Sequence, residues 1–364
     1  MEQSPTPIST PLVEHHFQHG AKSGVWFGCT LPDDFGDWRG EYRFARESVA
    51  LIDKNYLAYL DFSGPDRVRY LNAILTNNIK GLDDQHGTVS LFLNPQGHIQ
   101  AEIESHAFPD RIFCVSHAMI RERLIEGLDK FIIMDDVTLS DVTANFGTLT
   151  LEGPQAAIAT AALTGLELDK LADLEIRQCT AGSIPCSIIK RNIAGLSSAD
   201  FLVQRAQLEP LWNLLLASAK QHGGGAIGYT ALNALRLEQG IPWFGYDFGE
   251  KQIPHEAGLQ NSHISYTKGC YTGQEIVERV RSRGQINRSR VSLKFDTPEQ
   301  PAPNTPLLAE GKEFGFVTRA AFSPISNAFI GMGYVRREKS APESVLELSG
   351  GTATVYAAPV YTSQ

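Results

Sequence analysis

The sequence predicts an α+β protein that ends in a small all-β domain, and three observations carry that expectation. At 364 residues the chain has room for two or three domains with substantial cores. A strand followed by Gly-Pro and a helix occurs twice, at 56–62 with Ser63-Gly64-Pro65-Asp66 and at 148–152 with Gly153-Pro154. That repeat implies two related α+β units with helices on one face of each sheet. From Val291 the texture changes: a Pro-rich stretch, 297–306, precedes alternating runs near 307–309, 314–322, 328–335, 345–349 and 353–357. Short strands at regular spacing indicate a small barrel or sandwich.

Residues 1–38, rich in Pro, Ser, His and Gly, read as an extended or partly disordered arm. His15, His16 and His19 could bind a metal, yet no carboxylate or cysteine sits at ligand spacing, and a solvated tail is the simpler reading. A short helix is expected over 42–49. In the first unit Ser63 would cap a helix, with Pro65 in its first turn and Asp66 completing the box. Val68, Leu71, Ile74 and Leu75 fall on one face of it. VSLFL and HIQAEI alternate around Asn94-Pro95-Gln96-Gly97, which predicts a hairpin with a type I turn. A strand over 111–116 and an amphipathic helix over 119–130 follow.

The second unit continues with a helix to about 162, strands at 184–190 and 200–205, and a helix over 209–221. GGGAIG at 223–228 satisfies the G-x-G-x-x-G pattern but follows a helix, where a dinucleotide site needs a strand. It reads as a helix-to-helix linker with a glycine C-cap. The helix over 229–239 buries Ala231, Leu232 and Leu235, carries Arg236 and stops at Gly240. Trp243, Phe244, Tyr246, Phe248 and Tyr266 could wall a flat heterocycle or serve as ordinary core packing.

The composition, 42% hydrophobic and 20% charged, is that of a soluble globular protein, and a net charge of −9 argues against general nucleic-acid binding. Five cysteines without a Cys-x-x-Cys pair fit reduced thiols in a cytosolic compartment and offer no zinc spacing. No signal or transit peptide and no bilayer-length apolar run is visible.

Lys268-Gly269-Cys270-Tyr271-Thr272-Gly273-Gln274-Glu275 has the look of a site. Its glycines let backbone approach a flat ligand or take φ > 0. Thr272 and Glu275 form a capping box ahead of Ile276 and Val277, which predicts a helix from Gln274 to about Arg283. Cys270 would then precede a positive helix end, and Lys268 adds charge; both favour the thiolate. A glycine-rich turn holding an incidental cysteine is the plain alternative. Arg279, Arg281, Arg283, Arg288 and Arg290 form either a solvated face or a site for carboxylates or phosphates.

KGCYTGQE resembles the signature of the YgfZ family of folate-binding proteins, relatives of the glycine-cleavage T-protein (aminomethyltransferase). RESVALID (46–53), SGPD, LEGP (151–154), LRLEQGIPWFGYDF (235–248), PHEAGL (254–259) and GFVTRAAFSP (315–324) agree with it in order. The resemblance implies a ring-like arrangement of two ferredoxin-like α+β units and a C-terminal β-barrel. Its domains would be a flexible arm (1–38), a folate-binding region (39–286) and the barrel (287–364). It implies tetrahydrofolate, or a one-carbon derivative, in a central channel of a cytoplasmic monomer. It further implies a role in supporting iron–sulfur cluster assembly and client proteins and, through them, tRNA modification. Carried onto this chain, the reacting residues are Cys270 and Lys268. The folate contacts are Gly269, Tyr271, Gly273, Gln274, Glu275, Arg236 and Arg279.

The departures from T-proteins bear on activity. T-proteins place an aspartate just after the hairpin turn, where this chain reads His98-Ile99-Gln100-Ala101-Glu102. Glu102 is the carboxylate nearby, its direction open by one register. The T-protein stretch that helps hold the pterin is lost near Arg191-Asn192-Ile193-Ala194-Gly195, and Leu232-Asn233 stands where T-proteins carry Arg-Asp. The pattern removes the known acid/base aspartate and so argues against authentic aminomethyl transfer, the alternative function, which would need Glu102 in its place.

Overall fold

The computed structural model describes residues 6–193, 196–284 and 286–359, the Arg283 side chain apart. The chain divides into two compact units, one of residues 1–73, 78–90 and 103–231, the other of residues 74–77, 91–102 and 232–364. Among the described residues no helix is long and apolar enough to cross a membrane.

In the first unit the expected arm is folded where it is described. Strands Ile8–Ser9, Cys29–Asp34 and Lys22–Trp26 form a three-stranded sheet in that order, joined by helix Val13–Gln18. Its few apolar residues are well placed: Leu12, Trp26, Phe27 and Leu31 are buried. His16 is buried too, with Nε2 2.8 Å from Asp53 Oδ2. Among the described residues no group of three His, Cys, Asp or Glu could hold a metal ion.

Both strand–Gly-Pro–helix repeats form. Strand Leu57–Ser63 leads to helix Arg67–Ile74, and strand Phe146–Glu152 to helix Ala156–Thr164. The first helix starts later than its cap signal suggests, because Ser63 is spent in the strand and Asp66 accepts the N–H of Asp136 at 2.9 Å. A five-stranded sheet runs Gly87–Leu93, Ile99–Ala107, Arg111–His117, Leu57–Ser63, Thr138–Asp141. A six-stranded sheet runs Ile176–Ala181, Ile184–Ile193, Leu196–Gln204, Phe146–Glu152, Ala50–Asp53, Gly225–Ala226. Tyr59, Phe113 and Val115 of the five-stranded sheet share a buried cluster with Ile176, Ile189 and Leu202 of the six-stranded one. The larger core sets Leu149, Leu151, Phe201 and Val203 against Leu211, Trp212 and Leu215 of helix Leu208–Gln221. Those helix positions recur at three- and four-residue spacing, as a single buried face requires.

The GGGAIG linker contains a two-residue strand, Gly225–Ala226, paired in parallel with Ala50–Leu51. A Cβ on Gly224 would lie 1.9 Å from the Val49 carbonyl oxygen, so close backbone approach explains that glycine.

In the second unit the C-terminal strands close into a six-stranded barrel. Their order is Arg288–Asp296, Ala328–Arg336, Lys312–Ser323, Pro306–Ala309, Val345–Leu348, Gly351–Tyr356. Leu293, Phe295, Leu307, Val317, Val335, Leu346 and Val355 fill it. The α+β class with a terminal barrel is thus the fold observed, and the barrel begins at Arg288, before the change of texture at Val291. Residues 360–364 lie outside the described chain.

Candidate functional site

The hairpin tip of residues 91–102, the bridge 74–77 and the segment 259–276 all belong to the second unit. The tip is fixed by Asn94, whose Oδ1 accepts the N–H groups of Gln96 at 3.0 Å and His98 at 2.9 Å. An Asx turn of this kind substitutes side-chain oxygen for backbone. Gly273 takes φ +81°, and a Cβ there would stand 2.7 Å from the Asn94 carbonyl oxygen. Only glycine suits both the backbone angle and the approach.

Gly273 also caps the following helix, Gln274–Arg283, with no side-chain cap bond, so the Thr272–Glu275 box does not form. Glu275 instead points to solvent and pairs with Arg279 at 3.6 Å. Cys270 lies four positions before the first helical residue rather than directly against the helix end, and its thiol is exposed. Gly269 is exposed beside it, and nothing lies within 4 Å of where its Cβ would be. Tyr271 is buried, with the Lys268 ammonium 5.1 Å above its ring. Burial pushes the Tyr271 phenol up.

Lys268 turns its charge inward. Its ammonium donates to the Leu75 carbonyl and, at 3.1 Å, to the Asn77 carbonyl. Desolvation lowers its pKa to about 8. The same bridge is tied to the neighbouring loop: Thr76 Oγ1 donates to the His263 carbonyl at 2.6 Å and accepts the Leu91 N–H at 2.8 Å.

Those ties set up a pairing that the sequence did not reveal. His263 Nε2 lies 2.9 Å from Glu102 Oε1, and its Nδ1 lies 2.7 Å from Ser262 Oγ. With Glu102 accepting, Nε2 carries the proton, and Nδ1 is held by Ser262 Oγ, which also lies 3.4 Å from the Leu259 carbonyl oxygen. The imidazole is 10% exposed, whereas the Glu102 side chain keeps 26% of its surface open. The register left open for Glu102 is settled: it lies on the less buried face of strand Ile99–Ala107, which alternates with buried Ile99, Ala101 and Ile103.

The expected arginine contacts divide. Arg236 is 3% exposed, bonded through Nη1 to Asp247 and through Nε to Asn233 Oδ1 at 2.9 Å, over the Trp243 ring at 4.4 Å. Its Nη2 is buried without a hydrogen-bond partner among the described residues, so the guanidinium is enclosed in packing. Arg281 lies over Tyr266 at 4.1 Å. Arg288 pairs with Glu256 at 3.2 Å, and Arg290 donates to the Ala257 carbonyl at 2.8 Å. These last two serve packing, so the basic run is not one face. Phe244 and Phe248 are core, 2% and 3% exposed. Arg191, near the lost pterin stretch, sits in the first unit on Glu104 and Asp200; Ala194 and Gly195 lie outside the described residues.

Known families resolve the chain's ancestry. The pattern of the GCVT N-terminal domain matches residues 12–264, and that of the glycine cleavage T-protein C-terminal barrel domain matches residues 288–362. The chain belongs to the glycine cleavage T-protein family. This family member is 24% identical over 330 residues to the aminomethyltransferase of Desulfitobacterium hafniense, covering 90% of each chain. It is 26% identical over 347 residues to that of Koribacter versatilis, covering 93% of this chain and 90% of the relative. The crystal structure of the glycine cleavage system aminomethyltransferase T from Bartonella henselae superposes with a TM-score of 0.87 at 22% identity, covering 97% and 98% of the two chains. The T-protein fold therefore extends over nearly the whole molecule.

Proposed function

We propose that this T-protein family member binds tetrahydrofolate and serves a folate-dependent transfer of the aminomethyltransferase type. The observation that carries the reading is the Glu102–His263 pair. A carboxylate just past the hairpin turn, where T-proteins place their aspartate, is partly open and is oriented by an imidazole held at both nitrogens. A general base needs that combination of reach and fixed direction. The relatives named aminomethyltransferase support the same class.

Tetrahydrofolate, when bound, supplies the amine that accepts the one-carbon unit. Glu102 would take up the proton, and His263 would keep the carboxylate aimed. The exposed Arg279 suits the carboxylates of a glutamate tail. Gly269, Tyr271, Gly273, Gln274 and Glu275 would frame the ligand. Lys268 would act by holding the 74–77 bridge.

The exposed Cys270 within KGCYTGQE favours a second reading, the YgfZ-type role. There the chain is a folate-binding accessory for iron–sulfur assembly and client proteins, and through them tRNA modification, with Cys270 as its reactive thiol. Titration with tetrahydrofolate tests what both readings share, and no saturable binding at millimolar ligand sinks both. Turnover of an aminomethyl group on a lipoyl carrier establishes the first. Its absence with all components supplied, together with a Cys270→Ala variant that cannot complement a deletion strain, leaves the second.

A further inference from the structure

The hairpin of strands Ile176–Ala181 and Ile184–Ile193 forms one edge of the six-stranded sheet and sets Cys179 directly opposite Cys186. Directly opposed Cα atoms on antiparallel strands stand about 4.5–5.5 Å apart. A disulfide spans about 4.4–6.8 Å, so the backbone already has the spacing one requires. The two sulfurs are 3.6 Å apart. Both cysteines line a cavity of about 330 Å³ whose walls include Phe113, Phe146, Pro185 and Leu202. Cys179 is half-buried and Cys186 is 8% exposed, which makes Cys179 the thiol a reagent meets first.

The pair is also electronically asymmetric. The hydrogen bond from Cys186 holds the Cys179 thiol below its ordinary value against the opposing effect of burial. The same bond, with burial, pushes Cys186 up. A more exposed thiol with a second thiol in reach of its sulfur is the arrangement that thiol–disulfide exchange uses.

We propose that Cys179 and Cys186 are a redox-active dithiol, which low-molecular-weight disulfides of the glutathione class convert into an intramolecular cross-strand disulfide. The Cys179 thiolate attacks one sulfur of the small disulfide, forming a mixed disulfide and expelling one thiolate, which takes up the proton Cys179 lost. Cys186 then gives up its proton and attacks the Cys179 sulfur, forming the protein disulfide. The second small thiolate leaves and is protonated in turn. Two protein thiols are oxidised, and one small disulfide is reduced to two thiols.

The sequence supplies a clean readout, because trypsin cuts after Arg177 and Lys190 and leaves both cysteines in one peptide, QCTAGSIPCSIIK. The full-length protein is incubated natively with glutathione disulfide, quenched with N-ethylmaleimide and digested. The expected peptide carries no maleimide and is about 2 Da lighter than its dithiol form, and prior reduction restores two maleimides. In Cys186→Ser the second step is blocked, so a stable glutathione adduct on Cys179 is expected. Two maleimides on the wild-type peptide, at an oxidant excess that fully oxidises a free dithiol in solution, would overturn the proposal. So would an unmodified Cys179 in a folded Cys186→Ser protein. Should that variant fail to fold, the wild-type peptide decides alone.

Discussion

Glu104 and Glu102 stand two residues apart on one strand, on the same side of its pleat, and have opposite fates. Glu104 takes both arms of Arg191, with Nη2 2.9 Å from Oε1, and lies 2.6 Å from His106 Nε2. Arg191 continues to Asp200 at 2.8 Å, which also accepts from Lys54 at 2.9 Å and Thr150 at 2.6 Å. Burial would raise the Glu104 carboxyl, but Arg191 and His106 overcome it and hold it at about 2. Burial likewise opposes ionisation of Asp200, and Lys54 and Arg191 hold that carboxyl low. Glu102, by contrast, keeps 26% of its side chain open beside His263. A carboxylate saturated by cations is a fixed charge of the fold, whereas one that is oriented and still reachable can exchange a proton with a ligand.

The largest break in this contrast is expected from Arg191→Ala. It leaves Glu104 buried without its main cation and Asp200 with Lys54 alone, which costs about 3–5 kcal/mol and is read as a fall in the urea midpoint. A midpoint within error of wild type would mean the network is ornamental. The acid limb has a definite sign. The folded pKa of Glu104 is depressed to about 2. Its stabilisation is therefore complete above the unfolded carboxylate value, about 4.3, and is lost as pH falls from there toward 2. Arg191→Ala should flatten that limb.

Glu102→Gln should do the reverse. Folate-dependent turnover is expected to fall about 10²-fold, equivalent to about 2.7 kcal/mol. The unfolding free energy should stay within about 1 kcal/mol of wild type, as for a partly open side chain. A variant that loses stability and keeps turnover would place Glu102 with Glu104 and remove the proposed base.

Much of this molecule is written locally in its sequence, and the exceptions are nearly all long-range. The strand–Gly-Pro–helix repeats and the barrel strands were legible because alternation and turn residues act within a few positions. The folded N-terminal segment was not, since composition cannot say that Leu12, Trp26 and Leu31 find a core. The Thr272–Glu275 box had the right spacing, but Gly273 in the left-handed region takes the cap itself. Glu102 was named as the available carboxylate, while His263, 161 residues away, carried no periodic or motif signal. A loop histidine flanked by a serine was the one available hint.

Lys268→Met sharpens the contrast from the loop side, because it removes a half-buried donor to the Leu75 and Asn77 carbonyls. A loss of about 1–2 kcal/mol is expected by chemical denaturation. Desolvation holds Lys268 at about 8 when folded, against about 10.4 when unfolded. Between those values the unfolded chain binds more protons, so this residue makes stability rise with pH. The difference between wild type and Lys268→Met should therefore shift in favour of wild type from pH 8 to 10. A constant difference would mean the ammonium is not desolvated.

Arg279→Ala is the smallest test and the most selective one. Arg279 and Glu275 form an i,i+4 pair at 3.6 Å with side chains 53% and 89% exposed. Such pairs contribute about 0.3–0.5 kcal/mol and are screened by salt, so the unfolding midpoint should barely move. Tetrahydrofolate affinity should fall severalfold, and polyglutamylated folate should lose more than the monoglutamate, because each added carboxylate depends on that guanidinium. An equal loss for both forms would place Arg279 near the pterin instead of the tail. No loss for either would return it to the solvated helix face, where its exposure alone would put it.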